Sequence, residues 1–239
     1  MKYMGSKARL SKDLAPIINE LITTNNIKTY IEPFVGGANM IQHIQCENKI
    51  GADNNKYLIA MWNRLQQGWS PPKEITRDFY NDIKTQHDQY PDELVAVAGF
   101  CATYNAKWFG GYAGLVSTKI GTVRNYYDEA VRNILKQLKY LNDVQFIESD
   151  YSDFSDTKGA LIYCDPPYRD TTKYNKDGFD HDAFWDWVRL VSEYNIVIVS
   201  EYTAPDDFKT TYEKQLINSL DKSSRKTNTE KLFILEATK

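Results

Sequence analysis

Apolar positions recur along this chain with two different periods. From Ser11 to Thr24 they fall at Leu14, Ile17, Ile18, Leu21 and Ile22, the i, i+3, i+4 spacing of a helix with one buried stripe. "KTYIEPFVGG" then reads as a strand stopped by Pro33 and two glycines, and "ANMIQHIQ" as a helix opening directly behind them. "KIGAD" is a second short strand ending at Asp53. "NKYLIAMWNRL" is helical, with Leu58, Met61, Trp62 and Leu65 on one side. Strand patterns return late, in "VQFIES", "ALIYC", "NIVIVSEY" and "KLFILEA". The helical "HDAFWDWVRLVSEY", with Phe184, Val188 and Val191 on one face, lies between the second and third of these.

Strand and helix therefore alternate in both outer parts, which predicts an α/β fold with a largely parallel sheet and right-handed crossovers. The pattern changes after Gly68. "GWSPPKE" has the composition of a linker, and Thr76 to Tyr140 reads as helices around the aromatic- and glycine-rich loop "NAKWFGGYAGL", with no strand. The expected organisation is one α/β domain, residues 1–69 and 143–239, interrupted by a small, mainly helical domain at 70–142.

Composition adds exclusions. No apolar run approaches the ~20 residues of a membrane-spanning helix, and "MKYMGSKARL" lacks the apolar core of a secretory signal. The three cysteines, Cys46, Cys101 and Cys164, are too far apart for a CxxC pair, which points to a reducing, cytoplasmic setting. His43, His87 and His181 form no metal-binding motif, so no metal site is expected. Net charge is −3, but its distribution is uneven. From Cys101 to Tyr140, Lys107, Lys119, Arg124, Arg132, Lys136 and Lys139 outweigh Asp128 and Glu129. A solvated helix face and a phosphate-binding surface both account for that excess.

Ligands of open α/β sheets lie beyond the carboxyl ends of the strands. Three features fall there. Gly36 and Gly37 allow close backbone approach. Asp53 follows Gly36 by 53 − 36 = 17 residues. An acid about 20 residues beyond a glycine turn is the usual partner of a ribose hydroxyl pair, although an Asp there would also cap the next helix. Together these two features indicate an adenosine-type ligand, and the absence of GxGxxG argues against a nicotinamide dinucleotide.

The third feature is Asp165-Pro166-Pro167-Tyr168, after the apolar strand "ALIYC". Two prolines end the strand, because neither has an N–H for the ladder. A plain turn is one reading. The other is chemical. An exocyclic amine on a nucleobase is a poor nucleophile, since its lone pair is delocalised into the ring. A carboxylate and a proline carbonyl could accept its two N–H bonds, leaving the nitrogen free to become tetrahedral and aim its lone pair at an electrophile. Tyr168 could stack on the base. Such a site works by positioning and electrostatics, without a covalent intermediate.

"KYMGSK", "EPFVGG" and "CDPPY", in that order and with an insertion before the last, resemble the Dam-like, D12-class DNA adenine-N6 methyltransferases of phage type. The resemblance covers most of both outer segments. "AKWFGGYAG" is similar to the middle of phage-type members. The resemblance implies a Rossmann-like methyltransferase sheet, S-adenosylmethionine as methyl donor, and a target-recognition role for the inserted domain. Tyr3 and Lys7 match the N-terminal donor-binding positions, Asp53 the ribose acid, and Asp165 the acid between donor and target base. Asp150 occupies the place of the donor-adenine contact. The family's FxGxG stands here as Phe34-Val35-Gly36-Gly37-Ala38, with alanine for the last glycine. The Asn usual in protein-amide methyltransferases is absent at Asp165. RNA adenine, or a DNA-binding protein without activity, are the alternatives.

A stacked adenine must be flipped out of the duplex to be methylated. Double-stranded DNA is then the expected partner, of a monomer without membrane or metal, and the positive excess in the insertion becomes phosphate contact. Lys107, Trp108, Tyr112 and Arg124 are the candidate DNA contacts. The plainer alternative for the aromatic residues is a core of their own small domain. Arg225 and Lys226, in "SSRKTNTEK", have the character of a solvated turn.

Overall fold

The computed structural model describes residues 1–117, 121–168, 178–217 and 227–235. Helix α1 (Ser11–Thr24) leads into strand β1 (Thr29–Glu32), then β2 (Asn48–Asp53) and α2 (Lys56–Gln66). The middle region contains α3 (Arg77–Thr85), α4 (Asp92–Ala96), a hairpin of β3 (Leu115–Ser117) and β4 (Val123–Asn125), and α5 (Tyr126–Leu138). After it come β5 (Val144–Glu148), β6 (Ala160–Cys164), α6 (His181–Ser192), β7 (Ile196–Glu201), β8 (Phe208–Ile217) and β9 (Thr227–Leu235).

Seven strands form one sheet in the order β5-β2-β1-β6-β7-β9-β8. The first five are parallel, and β9 runs antiparallel to both β7 and β8. The chain steps outward from β1 to β2 and β5, then returns to β6 on the other side of β1. That reversal between β1 and β6 is the topological switch point at which doubly wound sheets bind ligands. Of the central strands β6 is apolar throughout, and β1 and β7 are mostly so, because both of their faces are covered. Tyr30, Leu161, Tyr163 and Ile198 face α1 and α2, while Ile31, Ile162, Cys164 and Val199 face α6.

Three expectations are corrected. No helix follows the glycines; Ile41–His43 makes a single 3₁₀ turn. Asn19 on α1 donates to the His43 carbonyl at 3.1 Å and accepts from the Gln45 N–H at 2.9 Å, taking two backbone groups that a continuing helix would have used. The insertion has strands after all, in the β3–β4 hairpin, whose exposed three-residue strands show no alternation. β8 carried no strand pattern either, being a largely polar edge strand paired only with β9.

Among the described residues, 70–142 contribute no strand to the main sheet. They nevertheless share its core. Ile75, Tyr80, Val95, Ala98 and Phe100 are buried in the same cluster as Leu58, Met61 and Trp62. Among the described residues no helix is long and apolar enough to cross a membrane.

Candidate active site

The expected features meet at the carboxyl edge of β1, β2, β5 and β6. The β1 turn is held from several elements. Gly36 has φ +47° and Ala38 φ +52°, so Ala38 takes a left-handed conformation that glycine adopts at less cost. The Gly36 carbonyl accepts from Trp62 Nε1 of α2 at 3.2 Å. Gln137 of α5 donates to the carbonyls of Gly37 and Ala38 at 2.9 and 2.8 Å. Tyr3 lies over the glycines, where a Cβ on Gly36 would stand 2.8 Å from its ring and one on Gly37 2.8 Å from its Cβ. Such approaches need glycine.

Asp53, at the end of β2, accepts the Gly36 N–H through Oδ2 and the Asn55 N–H through Oδ1, both at 3.0 Å. The cap of α2 is Asn55, which accepts from the Leu58 N–H. Burial pushes the Asp53 carboxyl up to about 6, against those two backbone bonds. A carboxylate in this setting has lone pairs left for neutral hydroxyl donors. A ribose diol fits that demand. Asp150 is exposed and caps the short Tyr151–Phe154 turn. Phe34 stacks on Tyr151, with ring centres 5.7 Å apart, and also meets Phe179 and Phe184. Phe34 and Asp150 thus flank the same turn.

The N-terminal segment connects this edge to the acid after β6. Four residues beyond Tyr3, Lys7 Nζ stands 2.8 Å from Asp165 Oδ1 and 2.9 Å from Glu230 Oε1. Lys7 also donates to the Tyr168 hydroxyl and lies 4.4 Å from the centre of its ring. Tyr168 in turn donates to Glu230, with Ser200 Oγ 3.1 Å from its hydroxyl; its ring meets Tyr202 edge-on. Pro166 is buried and Pro167 half-buried, which stiffens the backbone between acid and ring. Burial pushes the Asp165 carboxyl up to about 6; Lys7 opposes the rise and Glu230 adds to it. Burial also acts to lower the Lys7 ammonium, but Asp165 and Glu230 more than offset this and hold it above its ordinary value.

Of the four insertion residues, Trp108 and Tyr112 are half-buried and Lys107 and Arg124 exposed. The Trp108 ring lies against Gly99, whose Cβ would stand 2.5 Å from it, and stacks on Tyr57 of α2 at 5.3 Å. With Asn54 and Asn55 it lines a cleft of about 330 Å³ beside the end of β2. Tyr112 packs on Tyr80 and donates to the Ile75 carbonyl at 2.8 Å. Lys107 is exposed, and so is Arg124, which pairs with Glu129 at 2.6 Å. Arg132 pairs with Asp128, so local acids neutralise part of the positive excess. Lys119, Arg225 and Lys226 lie outside the described residues.

Three residues of the site were not anticipated. Glu32, at the end of β1, is buried and accepts from the Tyr30 hydroxyl at 2.7 Å. Glu230 and Ser200 complete the Lys7 cluster from β9 and β7. The available signal was polarity inside an apolar strand: Glu32 in "TYIE", Ser200 in "IVIVSE" and Glu230 before "KLFIL". Among the described residues no group of three or more His, Cys, Asp or Glu side chains could hold a metal ion.

Residues 3–105 match the family model of the D12 class N6 adenine-specific DNA methyltransferases. Modification methylase StsI of Streptococcus sanguinis is 25% identical over 213 residues, covering 78% of this chain and 31% of that protein. Type II methyltransferase M.FokI of Planomicrobium okeanokoites is 24% identical over 217 residues, with 80% and 31% covered. The chain therefore spans about a third of the length of these two relatives. Type II methyltransferase M.MjaIII of Methanocaldococcus jannaschii is 25% identical over 231 residues, with 81% and 78% covered.

Proposed function

We propose that this chain, whose residues 3–105 match the model of the D12 class N6 adenine-specific DNA methyltransferases, methylates N6 of a flipped-out adenine at a specific site in duplex DNA, as a cytoplasmic monomer. The observation that carries this reading is the N-terminal segment. Tyr3 covers the glycine turn, and Lys7 is ion-paired to Asp165, so the donor edge and the target acid are held by one short stretch of chain. The three free cysteines support the reducing setting.

S-adenosylmethionine, when bound, supplies a methyl group on a positively charged sulfur, which keeps the bonding pair and leaves as a neutral thioether. Tyr3, Phe34, the Gly36–Gly37 turn, Asp53 and Asp150 are the residues that would hold it. Asp165, ionised above about pH 6, accepts one N6–H of the adenine, and a proline carbonyl accepts the other. The amine lone pair, no longer conjugated with the ring, attacks the methyl carbon. N6 gains a methyl group and loses one proton, which Asp165 takes and passes to water. Preorganised acceptors of this kind contribute about a hundredfold or more to rate. Unstacking the adenine costs a few kcal/mol, which backbone contacts must offset. Lys107 and Arg124 are the exposed cations of the insertion to which we assign such contacts, with Trp108 and Tyr112 holding the loop that presents Lys107.

The test is expression in a host without its own adenine methylation, followed by genome-wide mapping of N6-methyladenine. The expected result is methylation confined to one short sequence, absent with an Asp165→Ala control. No new N6-methyladenine in DNA would overturn the reading.

A further inference from the structure

Lys7 stands almost midway between two carboxylates that differ in their surroundings. Asp165 belongs to the edge and keeps 20% of its side chain exposed, whereas Glu230 keeps 4%. Glu230 is also fixed from other sides. Ser200 Oγ donates to its Oε1 at 2.6 Å, and the Tyr168 hydroxyl donates to the same oxygen. One ammonium is thus shared by a carboxylate that must be available to a substrate amine and one anchored in the sheet.

We propose that Glu230 is a positioning residue that retains Lys7, so that Asp165 can exchange its lysine for the N–H donors of the target adenine. The inference rests on the function proposed above. With Asp165 as its only carboxylate partner, Lys7 could leave Oδ1 only by giving up its single charged acceptor, and an incoming neutral amine would compete with a charged donor at that oxygen. With Glu230 at 2.9 Å, Lys7 has a second charged acceptor already in place and need not be desolvated without a partner when it releases Asp165. Tyr168 is tied to both Lys7 and Glu230, so its ring stays beside the acid during the exchange.

The groups facing Asp165 are Lys7 from the N-terminal segment, Glu230 from β9 and Tyr168 from its own loop, with Glu32 of β1 and Tyr163 of β6 coupled to it electrically. Of these, Glu230 pushes the Asp165 carboxyl upward and Lys7 pulls it down. Removing the Glu230 charge therefore moves the acid limb of the transfer rate to lower pH while slowing transfer itself.

The experiment measures single-turnover methyl transfer from pH 5 to 8.5, at saturating donor and DNA, for wild type and Glu230→Gln, with donor binding followed by calorimetry. Expected for Glu230→Gln are a rate lower by on the order of ten- to a hundredfold, the range for losing one charge-assisted hydrogen bond from a transition state, an acid limb displaced to lower pH, and unchanged donor affinity. A rate within twofold of wild type, an acid limb that does not move, or loss of donor binding together with rate would each overturn the inference. If glutamine is not tolerated in the fold, Glu230→Asp takes the same readings. It keeps the charge but withdraws it from Lys7, and is expected to slow transfer with a smaller displacement of the limb; a wild-type rate and limb would overturn the inference there too. Wild-type protein that transfers no methyl to DNA overturns the function and this inference together. Wild-type activity with an undisturbed variant overturns only the role of Glu230.

Discussion

Replacing Glu32 by glutamine removes a proton equilibrium from the middle of the sheet. The carboxyl sits at the end of β1 with 3% of its surface exposed. Burial pushes it up to about 8; the bond from Tyr30 and the charge of Lys49 pull against this, and Asp165 adds to it. At pH 7 it therefore carries a proton, while in the unfolded chain it titrates at 4.5. The folded value is raised, so the native state binds the extra proton between 4.5 and 8. The stability this gives is complete below 4.5 and is lost as pH rises through 8. The gap, 8 − 4.5 = 3.5, at about 1.4 kcal/mol per unit, bounds the loss at about 5 kcal/mol. Glutamine keeps the carbonyl that accepts from Tyr30 and cannot ionise. Urea unfolding of both proteins at pH 5, 7 and 9 reads the effect directly. Asp53 titrates in both proteins and cancels in the difference, which reads Glu32 together with its coupling to Asp165. Wild-type stability should fall relative to Glu32→Gln by several kcal/mol from pH 5 to pH 9, up to that bound. Curves that stay parallel within about 1 kcal/mol would refute a protonated Glu32.

Other substitutions probe the site piece by piece. Asp165→Ala should slow methyl transfer on the order of a hundredfold or more while donor affinity, by calorimetry, stays near wild type. In the wild type, the single-turnover rate should fall as pH drops through about 6, where Asp165 takes up a proton; a flat profile down to pH 5 would count against its role. Gly36→Ala should weaken donor binding severely, because a Cβ would stand 2.8 Å from Tyr3 in a backbone conformation with φ +47°; calorimetry at wild-type affinity would show that the turn is not part of the donor site. Lys107→Ala and Arg124→Ala should each lower the salt slope of DNA binding by about 1 and leave donor binding intact. Unchanged slopes in both would move phosphate contact elsewhere in the insertion.

Wherever periodicity was strong, the fold was legible in the sequence. Ser11–Thr24 is a helix with the expected bounds, and Ala160–Cys164 is buried at every position, as its unbroken apolar run implied. The turn at Gly36–Gly37, Asp53 and the Asp165 segment all lie at the predicted edge, because strand ends are marked locally by glycine, proline and acid. The missing pieces depend on partners distant in sequence. Asn19 ends the turn after the glycines from 24 residues away, and Glu230 reaches Lys7 across almost the whole chain. Trp108 and Tyr112 looked equally suited to a core or a DNA surface, since an aromatic ring serves both until its neighbours are known. Gly99 and Ile75 are those neighbours here.

The two hydrogen bonds from Gln137 to the glycine turn limit how such a protein can be rebuilt. Gln137 lies on α5, the helix that closes the insertion, yet it braces a turn 100 residues earlier in the sequence. A chimera that exchanged residues 70–142 as a cassette would import a foreign side chain into the scaffold of the donor edge, and catalysis would change along with target choice. Grafts confined to the β3–β4 hairpin leave Gln137 in place. Replacement of the hairpin alone is therefore expected to disturb the glycine turn less than replacement of the whole insertion.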